Sequence, residues 1–344
     1  MVTETAILVA LLGLIDRIPM PTPTNRRGRP KTYSDRLFLK ALVIMVVRHL
    51  PKVHSLLAVL EEPEMHPLRT LLVERGRYPT RRTFERRLKA MPETLPAQIA
   101  CLGRHLLVLI DPFQDQGRAA AIDSTALAAH GGVWHKKHRE AGVVPHTSID
   151  TEAGWTKSGW HGWVYGWKLH LVTTVAAVWI PLAAQLTAAN TGDNTQAPAL
   201  LEKLPAEIRV LLGDVQYNDP ELLQLCESQG RLLVTTKRGS YPHTDDGVEV
   251  RRIFHQLRSH AIENFNAQFK AIFNCLGQVP TRGLVPTRRF VLGAVLVYQL
   301  ALLHRFENGD DLRVGLKPYL QAARRFMTKS RLDTPEEGGT VGYA

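Results

Sequence analysis

The sequence predicts an α/β domain built on a mixed sheet, with an all-helical region in front of it. Prolines recur through the first 100 residues and divide them into short helical patterns, because proline ends a helix or begins one. After Arg118 the pattern changes, and short apolar runs alternate with helical segments. Their order is strand, strand pair, helix, strand, helix, strand, helix, which is typical of a mixed sheet flanked by helices.

The predicted elements follow one another closely after Arg118. Strands are indicated by short runs rich in Val, Thr and Trp, and helices by an apolar residue at every third or fourth position. The predicted strands are 119–127, 165–177, 179–189, 208–212 and 232–236, and the predicted helices are 195–204, 220–229, 259–276 and 284–305. The polar stretch 237–250 is predicted to be a loop or a small insertion.

The net charge of +11 is the least ordinary feature of the composition. Residues 1–100 contain 17 Lys and Arg against 9 Asp and Glu, so that 17 − 9 = +8 of the surplus lies there. Positive charge raises the local concentration of polyanions. The composition therefore favours a nucleic-acid partner, and the alternative is a basic surface that is merely well solvated.

Cysteine usage and hydropathy indicate a cytoplasmic protein that does not enter a membrane. The three cysteines, at 101, 226 and 275, form no Cys-x-x-Cys pair, which argues against a disulfide framework and a thiolate zinc site. The apolar stretches 37–50 and 291–304 are too short to span a bilayer. The run 6–15 lacks a preceding basic segment, so we interpret it as a core helix rather than a signal peptide.

Three carboxylates stand where a solvated acid is not expected. Asp123 lies inside an apolar strand, Asp214 directly follows another, and Glu263 lies beside the apolar stripe of its helix. An ionised carboxylate in such a place is costly unless it is paired or binds a metal. Acids from separate elements that converge at a sheet edge form an all-oxygen site, which suits Mg²⁺ or Mn²⁺. The alternative for any single acid is a helix cap.

Five motifs in this order resemble the catalytic block of DDE-type transposases of bacterial insertion sequences. They are Ala-Ile-Asp-Ser-Thr at 121–125, Gly-Trp-Lys-Leu-His at 166–170, Asn-Thr-Gly-Asp-Asn at 190–194, Leu-Leu-Gly-Asp-Val-Gln-Tyr-Asn-Asp at 211–219 and Ile-Glu-Asn-Phe-Asn-Ala-Gln-Phe-Lys at 262–270. The resemblance covers residues 118–305. It implies an RNase H-like fold with Asp123 on the central first strand, Asp214 after the fourth strand and Glu263 on a later helix.

The resemblance also implies a domain organisation and a reaction. Residues 1–105 are expected to form a helical DNA-binding domain, 106–305 the catalytic domain, and 306–344 a C-terminal helix and tail. Asp123, Asp214 and Glu263 are then the catalytic residues and the ligands of Mg²⁺, for which Mn²⁺ substitutes. Two metal ions about 4 Å apart would serve cleavage at the transposon ends and then attack of the freed 3′-OH on target DNA.

The expected partners are double-stranded DNA, as terminal inverted repeats and as target, and a second copy of the chain on paired ends. The expected location is the bacterial cytoplasm, in association with the nucleoid. Two alternatives stay open. One is a domesticated DNA-binding protein that is catalytically silent, and the other is a nuclease of the same fold that cuts without strand transfer.

One departure from the family pattern concerns the signature Tyr-x2-Arg-x3-Glu-x6-Lys around the catalytic glutamate. Glu263 and Lys270 keep their spacing, and they share a helix face because seven residues make about two turns. The positions expected for Tyr and Arg hold Gln256 and Ser259. His255 and Arg258 lie one residue too early, so only a local shift would let them substitute, which puts the hairpin-forming route of excision in doubt.

Basic residues predict two DNA-binding elements in the N-terminal region. Arg27-Gly28-Arg29-Pro30, followed by Lys31, resembles an AT-hook core for the minor groove, and the alternative is a basic linker on phosphates. The helix that begins after Pro79 carries Arg81, Arg82 and Arg86 and is predicted to be a recognition helix, with a charged surface helix as the alternative. Nearer the catalytic edge, the predicted DNA contacts are Lys168, Lys237, Arg238, Arg258 and Lys270.

Two further groups have a functional and a structural interpretation. The histidines at 130, 135, 138 and 146, with Glu140, can contact DNA or, less convincingly, contribute to a zinc site. The tryptophans at 155, 160, 163 and 167 can stack on an extruded base or pack in the core and at hairpin edges.

Overall fold

The computed structural model describes residues 4–22, 31–114, 118–158, 162–235 and 245–322. Several predictions fall outside these ranges and are therefore not addressed by the structure: Arg27, Arg29, Trp160, Lys237, Arg238 and the C-terminal tail beyond residue 322.

Among the described residues, six α-helices precede the sheet, and the proline pattern predicts helices in this region. They are α1 (Glu4–Ile15), α2 (Asp35–Val47), α3 (Val53–Glu61), α4 (His66–Thr70), α5 (Arg81–Ala90) and α6 (Leu95–Gln114). Hydroxyl side chains cap two of them, since Ser34 accepts from the amide of Leu37 and Thr80 from that of Thr83. A side-chain acceptor there satisfies one of the amides that lack a partner inside the helix.

The sheet consists of β1 (Ala119–Ala128), β2 (Gly154–Ser158), β3 (Gly162–Thr174), β4 (Pro181–Ala188), β5 (Val210–Gly213) and β6 (Leu232–Thr235). β1 is central, antiparallel to β3 on one side and parallel to β5 on the other, and β6 continues the parallel half. Along its far edge β3 pairs first with β2 and then with β4. The mixed α/β fold is confirmed. β2 was not predicted. Asp214 follows β5, which is the fourth strand if β2 is left out of the count.

The remaining helices are α7 (Lys136–Glu140), α8 (Asp193–Leu201), α9 (Pro220–Ser228), α10 (Asp245–Arg258), α11 (Asn264–Ile272), α12 (Leu284–Glu307) and α13 (Lys317–Ala322). The prediction of a loop over 237–250 is wrong for its last part, because α10 begins at Asp245. A π-helical turn joins α10 to α11, so the helix predicted to begin at Ser259 is a continuation. α10 was not predicted because most of its residues are polar. Phe254 is a buried residue of this helix.

One apolar core connects the N-terminal helices to the sheet. α12 packs against α1, α2, α6 and β4, and α6 also packs against β4. α12 has the length and hydropathy of a membrane span, but 83% of the relevant window is buried inside the protein, as expected of a core helix. Because α6 runs across the predicted boundary at residue 105, the division into domains remains a prediction.

Two glycines provide a matched test of this packing. A Cβ on Gly103 of α6 would lie 2.5 Å from the carbonyl oxygen of Pro181, whereas one on Gly13 of α1 meets nothing within 4 Å. We expect Gly103→Ala to lower the free energy of unfolding by roughly 1–3 kcal/mol through overpacking. Gly13→Ala should raise it by roughly 0.5–1 kcal/mol, because alanine loses less conformational entropy in a helix. Urea unfolding measures both, and equal stability of the two variants would contradict the close approach of α6 to β4.

Candidate active site

The parallel pairing of β1 and β5 places two of the predicted acids side by side. Ala121 is paired with Leu212, so the same register, continued by two residues, sets Asp123 opposite Asp214. The Asp123 carboxylate accepts a hydrogen bond from the amide of Ser124 at 2.8 Å, and that of Asp214 accepts one from the amide of Gln216 at 2.9 Å. Both acids are therefore oriented by the backbone that immediately follows them.

Burial makes the charged form of both acids unfavourable. It raises the pKa of Asp123 to about 7, against the opposing effects of Arg258 and the Ser124 amide, and Asp214 adds to the increase. Burial also raises the pKa of Asp214, against the hydrogen bond from Gln216 and the charge of Arg258. A carboxyl group that titrates this high lacks sufficient positive charge around it. This edge of the sheet is therefore able to accept a further cation.

A π-helical turn over Ser259–Glu263 brings Glu263 to the same place. A π turn is closed by bonds between residues five apart and absorbs one extra residue within a helix. Arg258, five positions before Glu263, consequently takes the place that a residue four positions before would take in an α-helix. The local shift that the family signature requires is present, and Arg258 stands where the signature arginine is expected. His255, three residues before Arg258, is exposed.

The guanidinium of Arg258 connects two of the three predicted acids. It donates to Glu263 Oε1 at 2.7 Å and to Asp123 Oδ2 at 3.4 Å. The side chains of Arg258 and Asp123 are only 13% and 18% exposed, whereas that of Glu263 is 48% exposed. A positive group of the chain thus lies between the strand-borne and the helix-borne carboxylates.

A fourth acid, Asp193 in the first turn of α8, was missed by the sequence interpretation. Its buried carboxylate accepts from Lys168 Nζ at 2.9 Å and lies 3.5 Å from Nδ1 of His170. Asp193 raises the pKa of both Asp123 and Asp214, so its charge acts on the site. The motif 190–194 contains this residue, but the helix was predicted to begin only at residue 195, so that Asp193 received no role.

Lys168 is consequently engaged within the protein. Besides Asp193 it donates to the carbonyl oxygen of Thr191 at 3.3 Å, and its side chain is largely buried. In this arrangement the ammonium group of Lys168 is engaged by Asp193 and Thr191. The contact with DNA expected from the sequence stays a prediction.

Tyr217 is a second residue that the sequence interpretation did not assign. The residue is buried, and its hydroxyl has no hydrogen-bond partner among the described residues. Burial raises its pKa well above the usual value, and Asp123, Asp193 and Asp214 add to the increase. The hydroxyl therefore lies in the field of all three acids. The signal in the sequence is the motif 211–219, in which Tyr217 follows Asp214 by three residues.

The oxygen donors are present without forming a complete cage. Across the described parts of the chain, no three His, Cys, Asp or Glu side chains converge as a metal site. Asp123 and Asp214 meet at the strand ends, and Glu263 is held toward Asp123 by Arg258.

The other predicted DNA contacts are distributed over the surface. Lys270 on α11 is half-buried, and burial lowers its pKa. Lys31 is exposed and pairs with Asp35 at 2.8 Å. On α5, Arg81 pairs with Glu85, and Arg82 and Arg86 are exposed on the same helix.

The histidines and tryptophans separate by environment. His130, His135 and His146 are exposed and His138 is partly exposed, and no metal-binding group forms among them within the described residues. Trp167 is a core residue and Trp155 is half-buried, which agrees with the structural interpretation, whereas Trp163 is 68% exposed.

The buried His170 generates a prediction about stability. Burial lowers its pKa to about 4, and Lys168 acts in the same direction against Asp193. Between an ordinary value of 6.5 and about 4, the unfolded chain binds a proton that the folded chain does not. The free energy of unfolding should therefore fall as the pH decreases through this window, by up to about 1.4 kcal/mol per pH unit.

Replacing His170 should remove this part of the pH dependence. Urea unfolding of His170→Gln between pH 6.5 and 4 is expected to give a flatter profile than the wild type, whatever its absolute stability. The exposed His135→Gln serves as the control and should retain the wild-type slope. An unchanged slope in His170→Gln would refute the assignment.

The π turn generates a second prediction. Deletion of Ser259 converts the turn into an α-helical one and leaves Arg258 four positions before Glu263, a spacing that still permits the ion pair. We expect this variant to fold with a melting temperature at or above that of the wild type.

Deletion of Gln268, inside the regular helix α11, is the matched control. It rotates one side of the helix by about 100° relative to the other and takes the buried Phe265 and Phe269 out of common register. Deletion of Gln268 should lower the free energy of unfolding by more than about 3 kcal/mol, as removal of a core aromatic side chain does. Equal damage by both deletions, measured by thermal unfolding, would argue against an absorbed insertion.

Comparison with known proteins identifies the family of the chain. The family model described as "Transposase DDE domain" matches residues 114–300. Among curated proteins none matches the chain. A piggyBac transposase in a synaptic complex with hairpin DNA is 10% identical over 98% of this chain and 83% of that chain, with a TM-score of 0.39. A Mos1 transposase in a pre-cleavage transpososome is 12% identical over 81% and 80%, with a TM-score of 0.21. Because the family model covers more than half of its residues, the chain belongs to the transposase DDE-domain family.

Proposed function

We propose that the protein is a transposase that cleaves DNA at transposon ends and joins the freed 3′-OH to target DNA, with Asp123, Asp214 and Glu263 as its catalytic acids. One observation carries the proposal: the two strand-borne acids are adjacent, and Arg258 ties Glu263 to one of them. Membership of the family supports a transposase. The reaction hydrolyses one phosphodiester to a 3′-OH and a 5′-phosphate, and then exchanges one phosphodiester for another.

The donor set fits Mg²⁺, with Mn²⁺ as a substitute. Carboxylate oxygens are the ligands that these ions prefer, and the raised pKa of Asp123 marks a place where added positive charge is favourable. Asp123, Asp214 and Glu263 would hold the ions. When bound, divalent metals lower the pKa of the attacking oxygen and neutralise charge on the leaving one.

The neighbouring residues of the chain would prepare and orient these acids. The backbone amides of Ser124 and Gln216 fix the rotations of the Asp123 and Asp214 carboxylates. Arg258 balances the charge between Asp123 and Glu263 before any ion arrives. The Tyr217 hydroxyl, which lacks a partner among the described residues, is free to donate a hydrogen bond to an oxygen atom bound beside these acids. Lys270, about two helical turns from Glu263, would hold a DNA phosphate.

The proposed partner is double-stranded DNA, both as terminal repeats and as target. The exposed Arg82 and Arg86 on α5, together with Arg81, would read or hold a transposon end from the 1–105 domain, and the basic residues at 27, 29, 31, 237 and 238 would contact the backbone. A homodimer on paired ends in the cytoplasm completes the proposal, because joining two ends requires both to be held together.

Plasmid nicking tests the catalytic assignment. With Mg²⁺ or Mn²⁺ we expect the wild type to convert supercoiled plasmid to the nicked form, and EDTA to stop it. Asp123→Ala, Asp214→Ala and Glu263→Ala should each lower the rate by roughly three orders of magnitude or more, the effect of losing several kcal/mol of transition-state stabilisation. DNA binding should be largely retained.

Glu221→Ala is the control, since it removes an exposed acid close to Asp214 in sequence and should nick normally. Full activity in any of the three variants would remove that residue from the site. Binding without any nicking, on DNA that carries the element's own ends, would instead support a silent DNA-binding protein.

A further inference from the structure

Residues 129–153 separate β1 from β2 and are called here the β1–β2 insertion. Over residues 130–148 its charge is one-sided, because Lys136, Lys137 and Arg139 stand against a single acid, Glu140, for 3 − 1 = +2, and four histidines accompany them; the two other acids of the insertion, Asp150 and Glu152, lie at its far end. Residues 139–148 are all exposed, as are 135–137. A segment this exposed contributes little to the core, so its residues are available to a partner.

The insertion is nevertheless fixed to the body of the protein. The indole of Trp134 donates to the carbonyl oxygen of Val143 at 2.8 Å, and that of Trp155 donates to the carbonyl oxygen of Trp134 at 2.9 Å. Gly131 and Gln278 exchange two hydrogen bonds, of 3.1 and 2.9 Å. These contacts hold the basic stretch in one conformation, so a partner does not have to pay the full entropy of ordering it.

The far end of the insertion is attached to the start of α12. The carboxylate of Asp150 accepts from the amide of Gly283 at 2.7 Å, and that of Glu152 accepts from the amide of Leu284 at 3.0 Å. Gly131 is required where the two ends meet, because its φ is +92° and a Cβ there would lie 2.1 Å from the carbonyl oxygen of Ser148. The exposed basic stretch is thus presented by a scaffold on both sides.

The position of the insertion relative to the active site is set by β1. Asp123 and the end of the strand at Ala128 are five residues apart, or about 17 Å at strand spacing. The insertion begins there, beyond the same end of the strand toward which Asp123 and Asp214 lie.

We propose that the β1–β2 insertion is a DNA-contacting surface, on which Lys137 and Arg139 bind backbone phosphates of the duplex that is cut at the three acids. The inference rests on the proposed function. Lysine and arginine recognise phosphate by charge and by hydrogen bonds. The backbone phosphates need basic residues from outside the immediate site, because Lys168 is engaged by Asp193, and Arg258 by Asp123 and Glu263. A second copy of the chain is the competing occupant, because Val143 and Val144 are also exposed.

Duplex binding by a charge-matched pair of variants tests the surface. The probe is a fluorescent 30-base-pair duplex of random sequence (about 100 Å long), titrated in EDTA so that no cleavage occurs. Lys137→Ala/Arg139→Ala is compared with Arg118→Ala/Arg209→Ala, which removes two exposed positive charges from the opposite end of β1 and β5. Circular dichroism and melting temperature confirm that both variants fold.

We expect Lys137→Ala/Arg139→Ala to bind roughly tenfold more weakly at low salt, with a salt slope lower by about two, one for each lost phosphate contact. The control should keep the wild-type affinity and slope. Wild-type binding with no difference between the two variants would overturn the inference and leave the proposed function intact. Unchanged DNA binding with loss of self-association in ultracentrifugation would overturn it in favour of a second copy. A wild type that binds no duplex contradicts the proposed function itself.

Discussion

Two carboxylates buried side by side are the constraint on which the rest of the site depends. Because β1 and β5 are parallel, Asp123 and Asp214 lie next to each other where little water reaches. Charges of one sign are costly there unless opposite charge is supplied. The chain supplies it through Arg258, and the pKa of Asp123 still lies at about 7. The remaining shortage of positive charge around these two acids is a physical reason for a cation at this edge of the sheet.

Some basic side chains of the protein neutralise its own acids, and others remain to bind the proposed DNA ligand. Lys168 neutralises Asp193, while the nearby His170 is kept neutral by burial, so this inner group requires no external charge. Arg258 is engaged in the same way with Asp123 and Glu263. Backbone phosphates must therefore be met by cations that the protein does not use internally. Such cations lie on α5 and, by inference, on the β1–β2 insertion.

The sequence was most informative where a buried strand and a charged residue coincide. An acid within the apolar run of β1, and another directly after β5, can be recognised without a structure because the alternative is an unpaired buried charge. The π turn cannot be recognised in this way, since one extra residue between Arg258 and Glu263 looks the same whether the helix absorbs it or breaks. Asp193 could not be recognised either, because only tertiary packing brings Lys168 and His170 to it. The start of α10 was missed because its apolar side is narrow.

The three acids proposed as catalytic differ in how firmly they are held, and this difference bears on how the proposed metal site would be completed. Asp123 is fixed in the hydrogen-bond ladder of β1, and Asp214 is oriented by its own turn. Glu263 is the more exposed of the two acids paired with Arg258 and lies in the π turn that interrupts the helix, a geometry that tolerates local rearrangement at functional sites. An ion held by all three acids requires Glu263 to exchange its bond with Arg258 for one with the ion. The same step would release a guanidinium beside the scissile phosphate, so that binding of metal and binding of DNA would favour each other.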